Sequence, residues 1–191
     1  MMTASLGKQI VFLILTCFVL FPPLVIGAQA PTLTSITVSS TNEDLLLHLK
    51  LEGAFVEKIK RQILDGIPTS FAFIIRLDQV HELWLDQKIA DIRVVHTVTY
   101  DNVKKEFIVR RSWKNNEAEV TASFEEAQQW MNQIDNLKII PISRMEPGTQ
   151  YQLLAKAEVS KKKLPLNLHY ILFFISFWDE ETDWYIIDFT Y

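Results

Sequence analysis

Leucine occupies every second position from Leu45 to Leu51, with Leu46, His48 and Lys50 between. A repeat of two puts successive side chains on opposite faces of an extended chain, so this stretch must be a strand with one buried face. A helix would scatter the same leucines around its circumference. Phe71, Phe73, Ile75 and Leu77 repeat the pattern, and Tyr151, Leu153, Ala155, Ala157 and Val159 do so against Gln152, Lys156 and Glu158. β-Branched and aromatic content predicts further strands over residues 33–39, 92–100, 105–113, 137–142 and 184–191. Parity fails in residues 105–113, where Arg111 shares a face with Phe107, Val109 and Trp113.

Two segments change period. Phe55, Val56, Ile59, Ile63 and Ile67 follow helical spacing, with Glu57, Lys58, Lys60 and Arg61 on the other side and Gly66 and Pro68 as stops. Ser123 precedes Phe124, Ala127, Trp130, Met131 and Ile134, and Glu126 three positions on completes a capping box. Each helix has one apolar side, so each packs on a sheet. The expectation is one mainly β (β-rich α+β) domain over residues 31–191. Its architecture is an antiparallel sandwich or curved sheet with two short amphipathic helices. Pro147-Gly148 reads as a turn before a strand, and residues 161–165 as a loop after it.

Residues 1–30 read as a signal segment. One charge at Lys8 leads an apolar run from Ile10 to Leu20, Pro22-Pro23 breaks it, and small residues end in Ala28-Gln29-Ala30. Cleavage is expected after Ala28 or Ala30. An uncleaved anchor is the rival, opposed by the two prolines near the end of the span. Leu15-Thr16 ahead of Cys17 lacks the small residue that a lipoprotein cut requires. Export would place the domain in the periplasm, or on the inner membrane facing it if the anchor stays, away from ATP and nicotinamide cofactors. The leader holds the only cysteine, so no disulfide is available to the rest. Lys8 is also its only charge, so the −4 of the whole chain becomes −5 beyond it. That acidity, with no basic stripe, argues against a nucleic-acid partner.

The residues offer little chemistry. Gly53, Gly66 and Gly148 stand too far apart to cradle a phosphate, and no hydrolase or zinc-protease motif is present. Neither cofactor nor metal is expected. His48, His81, His96 and His169 have no metal-ligand spacing; His96, between Val94 and Val98, reads as a core histidine satisfied by a hydrogen bond. Trp84 and Asp86 offer stacking plus a carboxylate for a sugar or peptide, against the plainer reading of a tryptophan covering the core. Asp179, Glu180, Glu181 and Asp183, between Trp178 and Trp184, offer oxygens for calcium without the spacing of a loop site, and read more simply as a solvated turn. Lys161 to Lys163 could rest on an anionic membrane, though three lysines usually mark a wet loop. Tyr170 to Trp178 is almost wholly apolar, which fits a strand buried on both faces or an open docking edge.

Short motifs recur in order along the chain: Leu64-Asp65-Gly66-Ile67-Pro68, Trp84-Leu85-Asp86 with Ile89-Ala90, Val98-Thr99-Tyr100 and Phe107-Ile108-Val109. They continue through Ser123-Phe124-Glu125-Glu126-Ala127, Pro147-Gly148-Thr149-Gln150-Tyr151, Leu164-Pro165 and Asp183-Trp184-Tyr185. In these the chain resembles the bacterial family called domain of unknown function 4390. The resemblance implies a small Gram-negative envelope protein of unassigned activity, from a family often encoded beside sensor histidine kinases. Relatives carry more aromatic and arginine residues ahead of the Trp84 position, where this chain has His81 and Glu82.

The expected function is therefore a non-enzymatic accessory domain that binds another envelope protein, with a membrane sensor kinase among the candidates. Its expected surface comprises Trp84, Asp86, Trp178 and Trp184. One alternative is a carrier of an apolar ligand or lipid, with a pocket between sheet and helices lined partly by Phe173, Phe174 and Phe177. Another is a small outer-membrane barrel, on the alternation of Tyr185, Ile187, Phe189 and Tyr191. Membrane contact is otherwise expected only through an uncleaved leader.

Overall fold

The leucine row of residues 45–51 lies at the centre of a small sheet, because its polar alternation leaves only one face to bury. In a computed structural model that describes residues 30–81, 85–161 and 180–191, β1 (Thr32–Ser40) and β2 (Asp44–Glu52) form an antiparallel hairpin. The hydroxyl of Thr41 accepts from the N–H groups of Glu43 and Asp44 and sets the turn. β7 (Gln133–Pro141) pairs with the other side of β2.

A larger antiparallel sheet has the order β10-β8-β3-β4-β5-β6, from β3 (Thr69–Gln79), β4 (Gln87–Asp101), β5 (Glu106–Arg111), β6 (Ala118–Thr121), β8 (Gln150–Lys161) and β10 (Tyr185–Thr190). The two-residue β9 (Glu180–Glu181) lies beside β8. Helix α1 (Glu57–Leu64) precedes β3, and α2 (Phe124–Asn132) precedes β7. Among the described residues neither sheet closes into a barrel. The short β6 was not foreseen, since four residues show no period. The lysine loop over 161–165 and the apolar stretch 170–178 fall outside the described residues, except that Lys161 ends β8.

The core lies between the two sheets. Leu45, Leu47, Leu49 and Leu51 face Phe71, Phe73, Ile75, Leu77, Leu153, Ala155 and Ala157, all nearly free of solvent. Two bulges fall at the same level of β2. Ser35-Ile36 oppose Leu49, and Asp135-Asn136 oppose His48, with Ser35 and Asn136 at φ of 51° and 58°. An extra residue on each flanking strand bends the small sheet around the large one. The outer face of the large sheet carries its own ion pairs, such as Arg93 with Glu158 at 3.1 Å, which reaches across β3.

The helix ends follow local chemistry. Gly66 takes φ 78°, its N–H bonds the Ile63 carbonyl and that of Ile67 bonds Gln62, so α1 stops three residues before Ile67. For α2 the capping box is only half formed. Ser123 Oγ accepts from the Glu126 N–H at 3.2 Å, whereas the Glu126 carboxylate takes the Thr121 hydroxyl, and Thr121 Oγ1 accepts the Ser123 N–H. Removing the cap with Ser123→Ala is expected to lower stability by about 1 kcal/mol, read as a shifted urea midpoint with unchanged slope. Ile134 departs from the helix assigned to it by spacing. It belongs to β7, opposite Leu49, because pairing with β2 supplies both a ladder and a core face.

The odd parity of residues 105–113 has a structural cause. Arg111 turns inward, is buried, and makes a two-pronged pair with Glu119 of β6, its Nε 2.7 Å from the carboxylate. Trp113 leaves the strand for a 3-10 turn over Ser112–Lys114. Its indole N–H donates to His96 Nε2 at 3.0 Å. The other ring nitrogen, Nδ1, donates to the Met131 carbonyl at 2.9 Å. His96 is thus the satisfied core histidine that its flanking valines predict, neutral and held in one tautomer by a carbonyl on one side and an indole on the other.

Candidate interaction surface

Among the described residues β10 is an edge strand, and both of its ends are tied down. At the start, Thr182 is buried between β9 and β10, where its N–H donates to the Ala157 carbonyl and its hydroxyl accepts the Ala157 N–H. A threonine side chain thus replaces one rung of the ladder where the strand is interrupted. At the far end the Tyr191 N–H bonds the Thr149 carbonyl, and Gly148, at φ 81°, donates to the Tyr191 carbonyl. Phe189 stacks on Tyr151 at 5.9 Å, and the Tyr151 hydroxyl accepts from the Glu146 N–H.

The open side of this clasped strand is apolar. Trp184, Tyr185, Ile186 and Tyr191 are between 38% and 51% exposed, and they make up four of the nine exposed large apolar side chains among the described residues. Since the Tyr191 N–H points at β8 and Tyr185, Ile187 and Phe189 share its parity, the antiparallel alternation turns the N–H and C=O groups of Ile186, Asp188 and Thr190 outward. Unpaired polar groups flanked by aromatic side chains form a template for another strand.

Two of the four residues singled out from the sequence border β10, at opposite ends. Trp184 precedes it, with Lys156 Nζ 5.3 Å from the ring centroid. A hydrogen bond to Glu181 holds the Lys156 ammonium above its usual pKa, and Glu158 adds to the effect. At the other end, Asp86 lines a cleft of about 410 Å³ with Val80, Gln150, Gln152, Asp188 and Phe189. Its carboxylate accepts the His81 N–H, and Asp188 accepts from Gln152 Nε2 at 2.8 Å. Among the described residues no lysine or arginine lines that cleft. Trp84 and Trp178 lie outside the described residues, as do His169, Phe173, Phe174 and Phe177.

Tyr185, Ile186 and Tyr191 were missed as surface candidates. The alternation of Tyr185, Ile187, Phe189 and Tyr191 reads as a barrel strand, and only the strand order shows that, among the described residues, β10 runs along an edge. Within the acidic run, Glu181 pairs with Lys156. Among the described residues no three His, Cys, Asp or Glu side chains converge to hold a metal ion, and no helix is long and apolar enough to cross a membrane. A family model described as Domain of unknown function (DUF4390) matches residues 28–188. No curated protein and no solved structure matches the chain.

Proposed function

Because the chain belongs to the DUF4390 family over most of its length, we propose that it is an exported, non-catalytic domain that receives another envelope protein along β10. The carrying observation is the exposed apolar edge with its ends clasped. An edge strand left free to fray is a weak template, whereas one held at Thr182 and Tyr191 keeps its outward N–H and C=O groups in register for an added strand. Aromatic side chains at Trp184, Tyr185 and Tyr191 supply contact area with few rotors to immobilise. Packing favours this reading over a carrier. Ile63, Phe71, Phe73 and Met131 fill the region where sheet and helices meet, each without solvent exposure.

Strand addition predicts a sharp mutational signature. Ile186→Pro removes one outward N–H but no bond to β8, so the fold tolerates it while the added strand loses a rung. With a photo-crosslinking residue at Trp184 in living cells, adducts to one envelope protein are expected, and Ile186→Pro is expected to reduce them roughly tenfold. The variant's thermal unfolding should match the parent's. Adducts that persist unchanged in Ile186→Pro, or that form equally from a probe at Val120 on the other edge, would reject β10 as the receiving strand.

A further inference from the structure

We infer that the segment received along β10 carries a lysine or arginine opposite Asp188, with apolar residues on either side of it. This rests on the strand-addition reading and adds the chemistry of the occupant. Each side chain of an added strand falls on the same face as the β10 residue it pairs with. Asp188 pairs with Gln152 and accepts from Gln152 Nε2, whereas Phe189 stacks on Tyr151 toward the core. The residue opposite Asp188 therefore lies on the outer face of the large sheet, and its two neighbours lie on the face that carries Ile187 and Phe189.

Negative charge is left unbalanced on that outer face. Asp86 is the second carboxylate of the cleft of about 410 Å³ that Asp188 lines. Both are held by neutral donors, the His81 N–H at 3.2 Å and Gln152 Nε2 at 2.8 Å. The cations at this end of the fold are spoken for. Arg76 lies 2.7 Å from Asp78 and Lys88 2.8 Å from Asp91. β2 also starts at this end, since Phe55, beyond its other end, packs 5.0 Å from Phe71 at the start of β3. There Lys138 pairs with Asp44. Arg144 remains, set on the Ile89 carbonyl, and Glu43 and Glu146 more than offset it. A lysine or arginine opposite Asp188 supplies the missing charge, with its head toward the two carboxylates and its stem along Val80 and Phe189 of the cleft wall.

The inner face sets the neighbours. Tyr185 is 44% and Tyr191 38% exposed, and they share a row with Ile187 and Phe189, which packs against the core. β1, on this side of the small sheet, packs on β8, so apolar side chains on an added strand prolong the core beyond it. The charges also decide between occupants. A second copy of β10 paired about Asp188 would set two carboxylates opposite each other, and any other register leaves each without a cation, because residues 185–190 hold no lysine or arginine.

The test measures fluorescence anisotropy with the full chain in phosphatidylcholine nanodiscs. Three identically labelled nonapeptides alternate threonine and valine, with lysine, norleucine or glutamate replacing the central threonine. The lysine peptide is expected to bind about fivefold more tightly than the norleucine peptide and roughly tenfold more tightly than the glutamate peptide. Asp188→Asn should erase most of that preference and Asp188→Lys should reverse it, with circular dichroism unchanged in both. Ile186→Pro acts on the ladder and should weaken all three alike. Equal affinities that Ile186→Pro still abolishes, or a lysine preference that survives Asp188→Asn, would overturn the charge assignment and leave β10 as a receiving strand. Failure of all three peptides to bind, or binding indifferent to Ile186→Pro, would overturn both. A dimer of the chain that Ile186→Pro dissociates would overturn the inference in favour of a second copy.

Discussion

Glu119→Ala is expected to destabilise the protein by about 3 kcal/mol, because it strips a buried guanidinium of its carboxylate. The Arg111 side chain is 6% exposed and the Glu119 carboxylate 30%, so water reaches one partner only. Lys114, 3.6 Å from Glu119, is a second cation and offers Arg111 no replacement for the lost carboxylate. The Trp113 ring, 5.8 Å from the guanidinium, offers partial compensation. Replacing both partners by apolar residues, as in Arg111→Met with Glu119→Leu, removes the charge together with its need and should be close to neutral. Urea unfolding of the two single variants and the double variant closes the cycle. Equal losses for single and double variants would show that packing, and not the unpaired charge, carries the cost.

A pH effect of similar size is expected from His96. Burial pushes its pKa down to about 4, and the nearby Arg111 and Lys114 charges act in the same direction. Nε2 accepts the Trp113 indole N–H, so a proton there would set donor against donor. The Met131 carbonyl bonded at Nδ1 opposes the shift without reversing it. In the unfolded chain the imidazole titrates near its ordinary 6.5, so between 6.5 and 4 the unfolded state binds more protons. Stability is therefore full above pH 6.5 and falls as pH drops towards 4, by about 3 kcal/mol in all. His96→Gln keeps a polar side chain without a titrating ring, and should flatten this part of the profile. A His96→Gln profile as steep as the parent's would assign the slope to other groups.

These two sites differ in how far they can be read from residues alone. His96 between Val94 and Val98 announces a buried ring, but neither partner is near it in the chain, since Trp113 and Met131 arrive from a turn and a helix end. Arg111 announces itself only as an error of parity. Glu119, its reason, sits on a strand too short to show a period. The same holds at the candidate surface. Trp184 and Asp86 stand out by composition, but their places at the two ends of one edge strand follow from the pairing of β10 with β8 and from the cleft that Asp86 shares with Asp188 and Phe189.

Periodicity along the chain settled most of the strands, which face of the clearly alternating ones is apolar, where Gly66 stops α1 and where Ser123 starts α2, because all of these depend on neighbours within a few residues. The order β10-β8-β3-β4-β5-β6, the bulges that wrap one sheet on the other, the move of Ile134 from helix to strand and the exposure of β10 were decided by tertiary structure. Pairing between strands far apart in the chain depends on hydrogen bonds and buried area shared across the whole core. No local window of residues contains that information.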